Sequence, residues 1–283
     1  MAKPAVIVVN SHVVRGSVGG RSAVFALERM GFPVWSLATV SLAWHPGHGR
    51  ATRMVPDDAA FAAMVHDLAG TAALGEVGGI LTGYLGSPGQ VAPLVDLVAA
   101  LKRRNPAARF LYDPNIGDDG VLFQPSELAA ASRDRLLPLA DIATPNRFEL
   151  GWLSGLPVGG EAEIGAAARR LGAREVVVTS AIATREEIGT MLLDDGNVTT
   201  ARQQAIAAAP KGTGDLFAAL YLGHRLDGRP ATEAMQRAAS AVGRLVRRAA
   251  ETGADELPLA ESADDLGGDL SDVAVTPAKV KIT

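Results

Sequence analysis

The chain has 283 residues, of which 48% are hydrophobic and 5% aromatic, and it carries a formal net charge of −4. This length fits one large α/β domain, and the abundance of Ala, Val, Leu and Gly favours a sheet covered by helices over a β-sandwich. The acidic balance argues against nucleic acid as a partner. The absence of cysteine excludes disulfides, thiolate nucleophiles and Cys-based metal sites, so any metal has to bind oxygen or histidine.

The N-terminus and the hydropathy pattern contain no targeting or membrane signal. The apolar run that follows residues 1–4 is too short for a signal-peptide core, and no run has the length that spans a membrane. We therefore expect a soluble cytoplasmic protein without a membrane partner. A single domain is expected over residues 1–283, with a peripheral C-terminal segment over 261–283.

Short β-branched runs alternate with longer helical ones along the chain. The strands predicted from the runs are 5–10, 34–40, 79–81, 110–112, 142–143 and 175–179. The helices predicted from the periodicity are 20–30, 57–68, 88–104, 126–140, 161–171 and 214–225. This alternation predicts a three-layer α/β/α fold with a central, mostly parallel sheet.

Two later segments depart from the alternation. The turn sequence Asp194-Asp195-Gly196-Asn197 separates two short strand-like runs, 191–193 and 198–202, and predicts a hairpin near one edge of the sheet. The segment 261–283 is acidic and then rich in valine. It is consistent with a peripheral strand or with a loose tail.

Unusual polar residues stand at the ends of the predicted strands. In parallel α/β sheets, ligands bind beyond the carboxyl ends of the strands, so these residues are expected to converge on one site. They lie at 11–12, 39–48, 82–84, 113–114, 144–146 and 179–180.

The most informative segment is Gly212-Thr213-Gly214-Asp215, at the start of an apolar, alanine-rich helical run. Glycines let the backbone turn its N–H groups toward a ligand, and the unpaired N–H groups of a helix N-terminus favour an anion. A carboxylate there is costly unless it has a task, such as accepting a proton from an attacking hydroxyl. For the motif taken alone, a helix N-cap is the more common role of such an aspartate.

Five segments together resemble the pyridoxal kinase family of the ribokinase-like superfamily. They are SHVVRGSVG at 11–19, LTGY at 81–84, DPNIGD at 113–118, LADIATPNRFEL at 139–150 and GTGD at 212–215. Each motif is weak alone, but the set covers most of the chain in the family's order. The resemblance implies Mg·ATP-dependent phosphorylation of the 5′-hydroxyl of pyridoxal, with pyridoxine and pyridoxamine as further candidate substrates. It also implies a homodimer, and it leaves open whether the enzyme uses a monovalent cation.

The same resemblance assigns roles at the reacting centre and around the vitamer. Asp215 would be the base, and Gly212, Thr213 and Gly214 would supply N–H groups to the transferred phosphoryl group. Contacts to the vitamer are implied for Ser11, Val18, Val40, His45, Tyr84 and Asp215. Read without the family, Ser11 is a turn hydroxyl, Val18 a core residue, His45 a solvated loop residue and Tyr84 a packing residue. Trp44 and Pro46 depart from the family pattern and leave the preferred vitamer open.

Nucleotide and metal contacts are implied for a further group of residues. The nucleotide set is Asp113, Asn115, Thr144, Asn146, Glu149, Thr179, Ser180, Lys211, Gly212, Thr213 and Gly214. The set around Mg²⁺, acting indirectly, is Asp113, Asp118 and Glu149, because Mg²⁺ prefers carboxylate, water and phosphate oxygens. Taken singly, Asp113 and Asp118 are ordinary turn residues, and Asn146 with Glu149 forms a capping-box pattern. Asn115 stands where the family has an aliphatic residue.

Three alternatives stay open. A hydroxymethylpyrimidine kinase or a sugar kinase would share the phosphate-binding residues and differ around the small substrate. The absence of cysteine argues against the first, and the apolar Val18 and Val40 argue against the second. A vitamer-binding relative without turnover is the third alternative.

Overall fold

The computed structural model describes residues 2–267, 270 and 273–277. The strands are β1 (Ala5–Arg15), β2 (Val34–Trp44), β3 (Arg53–Met54), β4 (Val77–Thr82), β5 (Arg109–Tyr112), β6 (Gly117–Asp118), β7 (Val121–Leu122), β8 (Ile142–Ala143), β9 (Glu175–Ala183), β10 (Glu187–Asp194), β11 (Asn197–Gln204) and β12 (Ala274–Pro277). The helices are α1 (Gly20–Arg29), α2 (Asp58–Gly70), α3 (Val91–Arg104), α4 (Ser126–Arg135), α5 (Arg147–Ser154), α6 (Glu161–Arg170), α7 (Thr213–Leu226) and α8 (Ala231–Thr252).

One sheet organises these elements, in the order β12-β11-β10-β9-β8-β5-β4-β1-β2-β3. The six central strands pair in parallel, in the sheet order β9-β8-β5-β4-β1-β2. At one edge β10, β11 and β12 continue the sheet antiparallel, and at the other edge β3 pairs antiparallel with β2. Strands β6 and β7 form a separate small hairpin. The predicted mostly parallel α/β/α fold is confirmed.

Helices cover both faces of the sheet, and β1 shows why. Its side chains alternate, so that Val6 and Val8 pack on the side of α1, α7 and α8. Ile7 and Val9 pack on the side of α2 to α6. All four are fully buried, as expected for a parallel strand between two helical layers.

The predicted hairpin is confirmed between β10 and β11. Asp194 pairs with Asn197, and the two residues between them, Asp195 and Gly196, have φ values of 46° and 84°. Two consecutive positive φ values match the right-handed twist of the flanking strands in a tight turn. The local turn sequence therefore determines the register of this edge.

The first two strands run further than the sequence predicts. β1 continues from residue 10 to Arg15 and β2 from residue 40 to Trp44, because the two extensions pair with each other. The register shifts between Asn10 and His12, where an irregularity interrupts the ladder. The prediction that residues 11–12 follow a strand is therefore wrong, since Ser11 lies within β1.

The helices predicted from periodicity do not include α8, and α5 is indicated only by the capping-box pattern of Asn146 and Glu149 at its start. α5 is short, whereas α8 is clearly amphipathic, with Met235, Leu245 and several alanines on its buried face, so its periodicity could have predicted it. The predicted helix over 126–140 stops at Arg135, and a 3₁₀ turn with Pro138 follows. Within the described part of the chain, no helix is long and apolar enough to cross a bilayer.

The C-terminal segment predicted over 261–283 is only partly described. It forms a 3₁₀ turn at Ala263–Gly267 and then β12, which pairs with β11 at the edge of the sheet. This outcome supports the peripheral strand. Residues 268–269, 271–272 and 278–283 lie outside the described residues.

Candidate active site

The site is centred on the N-terminus of α7. Gly212 is the N-cap with φ 93°, so Asp215 is the third residue of the helix and the N-cap interpretation of Asp215 is wrong. A Cβ on Gly212 would overlap the Ser17 carbonyl oxygen and lie 2.9 Å from Val18 Cγ1. Only glycine fits this backbone and this close approach. The first N–H groups of α7 consequently face the site without intrahelical partners.

Asp215 is buried, with 7% of its surface exposed. Asn10 Nδ2 and Asn115 Nδ2 each donate to its Oδ1 at 3.0 Å, and the Gly19 backbone N–H donates to its Oδ2 at 2.9 Å. Burial raises the pKa of Asp215 above its ordinary value, and these donors oppose the rise. A base of raised pKa that keeps hydrogen bonds to its ionised form suits proton acceptance near neutral pH.

Asn10 joins Asp215 to two predicted vitamer residues. Its Oδ1 accepts the backbone N–H groups of Ser11 at 2.8 Å and Tyr84 at 3.1 Å. Asn10 is not among the site residues that the sequence predicts. The available signal was a buried amide at the end of an otherwise apolar strand-like run, which needs a partner to be buried at all.

The other predicted vitamer residues are buried, but they differ in what they contact. Ser11 is buried, and a Cβ on Gly19 would overlap its hydroxyl oxygen. Val18 packs against Gly212. Val40 is fully buried in β2, and no described contact joins it to Asp215.

His45 lies in the loop after β2. Burial lowers the pKa of His45, and the charges of His48 and Lys211 lower it further. The Gly47 backbone N–H donates to His45 Nδ1 at 3.0 Å, which leaves the proton of the neutral ring on Nε2. His45 can therefore present an N–H donor. Because the charge of Lys211 affects the pKa of His45, the imidazole lies near the loop before α7.

The carboxylates of Asp215, Asp113 and Glu149 form a group that reaches α5. Thr144 Oγ1 donates to Asp113 Oδ1 at 2.8 Å. Burial raises the pKa of Asp113 well above its usual range, and the charges of Asp215 and Glu149 raise it further. Burial also raises the pKa of Glu149 to about 7. These acids are close enough to oppose one another's ionisation, so a cation or phosphate-bound metal would relieve them.

Glu149 and Asn146 form the predicted capping box of α5. Asn146 Oδ1 accepts the Glu149 backbone N–H at 2.9 Å, and Glu149 Oε2 accepts the Asn146 backbone N–H at 2.9 Å. Glu149 Oε1 also accepts the Ile116 N–H at 2.8 Å, while Asn146 Nδ2 donates to the Gly117 carbonyl at 2.8 Å. The box is confirmed, and it ties α5 to the segment after Asp113.

The structure contains no ready-made cage of protein ligands for a metal. Within the described residues, no group of three or more His, Asp or Glu side chains is arranged to hold an ion. Asp118 lies on the exposed hairpin, 3.5 Å from Lys211 Nζ. Any metal held by Asp113, Asp118 and Glu149 therefore needs water or phosphate oxygens to complete its coordination.

A pocket of about 120 Å³, open to solvent, lies beside the N-terminus of α7. Thr179, Ser180, Thr213 and Gly214 line it, so four of the predicted nucleotide residues share one space. The remaining lining includes apolar side chains of β10, α7 and α8, namely Ile188, Phe217, Val242 and Val246. Asn146 pairs with Thr179 through a β-bridge, which places the capping box next to this cavity.

Comparison with known proteins shows the family to which the chain belongs. Residues 76–260 match the phosphomethylpyrimidine kinase family. The chain is 35% identical to the pyridoxal kinase of Granulibacter bethesdensis, with 89% of this chain and 92% of that one covered. It is 40% identical to the pyridoxine/pyridoxal/pyridoxamine kinase of Bordetella pertussis, with 90% and 93% covered. The chain belongs to the pyridoxal kinases of the ribokinase-like superfamily.

Solved structures of this family have the same fold. The pyridoxal kinase of Leishmania donovani in complex with ADP and pyridoxamine superposes with a TM-score of 0.88 at 29% identity, covering 97% of this chain and 99% of that one. The pyridoxal kinase of Entamoeba histolytica superposes with a TM-score of 0.90 at 25% identity, also covering 97% and 99%. The family predicted from the five segments is confirmed.

Proposed function

We propose that this pyridoxal kinase transfers the γ-phosphoryl group of Mg·ATP to the 5′-hydroxyl of pyridoxal, with pyridoxine and pyridoxamine as further candidate substrates. The oxygen–phosphorus bond to the vitamer forms as the bond to the β-phosphate oxygen breaks, and ADP leaves. The hydroxyl proton passes to the Asp215 carboxylate. No phosphoenzyme is required, because both substrates reach the same site.

The observation that carries this proposal is the buried Asp215 carboxylate at the N-terminus of α7. It is held by three hydrogen-bond donors of 2.9 to 3.0 Å, beside a helix end with unpaired N–H groups. Such an end favours the negative charge of a phosphoryl group, and an adjacent ionised carboxylate can take the proton of an attacking alcohol. Gly212, Thr213 and Gly214 supply the N–H groups.

The nucleotide is assigned to the cavity lined by Thr179, Ser180, Thr213 and Gly214. Its apolar walls suit the flat face of a base, and its position beside α7 directs the phosphates toward the helix N-terminus. Thr144, Asn146, Asn115 and Lys211 are proposed further contacts of the nucleotide. Lys211 is exposed beside the loop and carries a charge that phosphates would attract.

The vitamer is assigned to the side of Asp215 where Asn10 joins Ser11 and Tyr84. The Ser11 hydroxyl can bond a polar atom of the pyridine ring, while Val18 and Val40 offer apolar surface and Tyr84 an aromatic one. His45 can donate its Nε2–H to the phenolic oxygen. These assignments leave the 5′-hydroxyl as the group next to Asp215.

The acidic groups fit a magnesium ion that is bound through water and nucleotide oxygens. Asp113 and Glu149 are buried carboxyls whose pKa values are raised, and the charge of Asp118 raises that of Glu149 further. Asp113, Asp118 and Glu149 would surround the ion without caging it. When bound, Mg²⁺ offsets the charge on the phosphate oxygens. A homodimer, a monovalent-cation requirement, a cytoplasmic location and a single domain stay predictions.

The proposal is tested by measuring ADP release with pyridoxal, pyridoxine, pyridoxamine, hydroxymethylpyrimidine and ribose in separate reactions. We expect the B6 vitamers to give the highest kcat/KM. Preference for hydroxymethylpyrimidine, to which the match with the phosphomethylpyrimidine kinase family points, would overturn the vitamer assignment. Absence of ADP release with every acceptor, in protein that still binds the vitamer, would favour the non-catalytic alternative.

A further inference from the structure

Two asparagines hold one oxygen of the Asp215 carboxylate. Asn10 Nδ2 and Asn115 Nδ2 both donate to Oδ1 at 3.0 Å, whereas the Gly19 N–H donates to Oδ2 at 2.9 Å. The backbone N–H of Asp215 itself also donates to its carboxylate. A carboxylate oxygen offers two lone-pair directions. The two amides therefore occupy both directions of Oδ1, which makes Oδ2 the oxygen with more room for a substrate hydroxyl.

The orientation of the Asn10 amide is determined by its surroundings. Its Oδ1 accepts the N–H groups of Ser11 and Tyr84, so its NH₂ end has to face Asp215. Asn10 is 2% exposed, and a Cβ on Gly83 would overlap its carboxamide. The side chain can therefore neither flip nor withdraw without losing hydrogen bonds in a buried place.

Asn115 reaches Asp215 through an unusual backbone conformation. It follows Asp113-Pro114 with φ 45°, a region that asparagine tolerates better than other residues with a side chain. Gln124 Nε2 donates to its carbonyl at 3.2 Å and supports this turn. The left-handed turn directs the carboxamide to the carboxylate, which gives the departure from the aliphatic family residue a structural reason.

We infer that Asn10 and Asn115 are positioning residues that orient the Asp215 carboxylate so that Oδ2 accepts the proton of the substrate hydroxyl. This inference rests on the proposed base role of Asp215. The two amides occupy Oδ1 and prevent rotation of the carboxylate, so that Oδ2 is the oxygen presented to the alcohol.

The same hydrogen bonds oppose the rise in the pKa of Asp215 that its surroundings cause. Burial disfavours its ionised form, and the charged group that faces it is Asp113 after β5, on which Glu149 of α5 acts in turn. Donors to the ionised form offset both effects. Loss of one amide is therefore expected to raise the pKa of Asp215, in addition to freeing the carboxylate to rotate.

The test uses Asn115→Gly, which removes the carboxamide and keeps the left-handed backbone. In protein labelled with ¹³C at the aspartate carboxyls, the Asp215 resonance is assigned by its absence in Asp215→Asn and titrated with pH. We expect the Asp215 pKa to rise by about one unit in Asn115→Gly. Asn105→Ala, which removes an amide that bonds the Val77 carbonyl at the amino-terminal end of β4, should leave the Asp215 pKa unchanged. An unchanged Asp215 pKa in Asn115→Gly would overturn the inference.

Turnover with pyridoxal and ATP gives a second readout. In Asn115→Gly we expect kcat to fall about tenfold and the acid limb of its pH profile to move up with the Asp215 pKa, while the KM for pyridoxal stays within about twofold. In the Asp215→Asn background the same change should cost nothing further. A large rise in the KM for ATP without a shift of the acid limb would make Asn115 a nucleotide contact only, and overturn its positioning role.

Asn10 is tested by comparing Asn10→Ala with Asn10→Gln. The glutamine retains a donor and should recover part of the kcat that the alanine loses, whereas equal losses would contradict the role of Asn10. If Asp215→Asn itself keeps normal turnover, the base assignment fails, and the titration still decides whether the asparagines act on the carboxylate.

Discussion

Arg225 of α7 binds the buried carboxylate of Glu175 with two hydrogen bonds, Nη2 to Oε1 at 2.7 Å and Nε to Oε2 at 3.0 Å. Glu175 is 1% exposed and stands at the start of β9, at the opposite end of the sheet from Asp215. The Tyr221 hydroxyl donates to Oε2 at 2.7 Å, and Arg109 Nη1 to Oε1 at 3.3 Å. A buried charge of this kind is tolerated only while its partners remain.

We therefore expect Arg225→Met to lower the free energy of unfolding by about 3 kcal/mol, since Tyr221 and Arg109 leave Glu175 only partly satisfied. The measurement is a urea titration. Arg174→Met, which removes an exposed pair with Asp195, is the matched control and should leave stability unchanged. Combining Arg225→Met with Glu175→Gln should recover part of the loss, and a double variant no more stable than Arg225→Met would contradict the explanation.

Asp215→Asn should keep the fold and lower kcat by about 10² to 10⁴, the usual range for loss of a general base. Steady-state turnover with pyridoxal and ATP measures the change, and calorimetric ADP binding shows that the nucleotide site is intact. Asp96→Asn, on the exposed face of α3, is the matched control. Normal turnover of Asp215→Asn would refute the assignment of the base.

Gly212→Ala should impair both stability and turnover, because a methyl group there meets the Ser17 carbonyl and Val18. Gly228→Ala separates the two contributions. Gly228 also has a positive φ, 80°, but an added Cβ would have no atom within 4 Å. We expect Gly228→Ala to cost about 1 kcal/mol from backbone strain alone, with normal turnover. If the two variants behave alike in stability and kcat, the close approach of Gly212 to Ser17 is irrelevant to the site.

Glu149 should make the ligand-free protein less stable as pH rises through the window between its ordinary pKa of 4.5 and its folded value of about 7. In that window the unfolded chain has lost the proton and the folded chain still holds it. The folded state binds more protons, so the free energy of unfolding falls with increasing pH.

Glu149→Gln, which resembles the protonated acid, should flatten this part of the pH dependence. Unfolding free energies from urea titrations at pH 5 and pH 7.5 measure the difference. Glu127→Gln, at an exposed position of α4, is the control and should retain the wild-type slope. Parallel slopes for wild type and Glu149→Gln would show that Glu149 ionises normally.

Features that depend on neighbours along the chain were predictable. The alternation of β-branched and helical runs predicts the parallel layers, because side-chain period determines which face an element can bury. The capping box of Asn146 and Glu149 and the turn at Asp195-Gly196 are local too, and the structure confirms both. The GTGD segment likewise predicts Asp215 on the first turn of a helix, where the structure has it.

The tertiary structure alone decided which distant residues complete the site. Asn10 and Asn115 meet Asp215 across 205 and 100 positions, a contact that depends on strand order and on a left-handed turn rather than on spacing. The paired extensions of β1 and β2, and the part of α8 in the cavity wall, likewise arise from packing between elements. The sequence by itself determined the layers, the caps and the position of Asp215 on the first turn of a helix. Only the folded chain decided what surrounds Asp215, because burial and hydrogen bonding of its carboxylate are properties of contacts between elements.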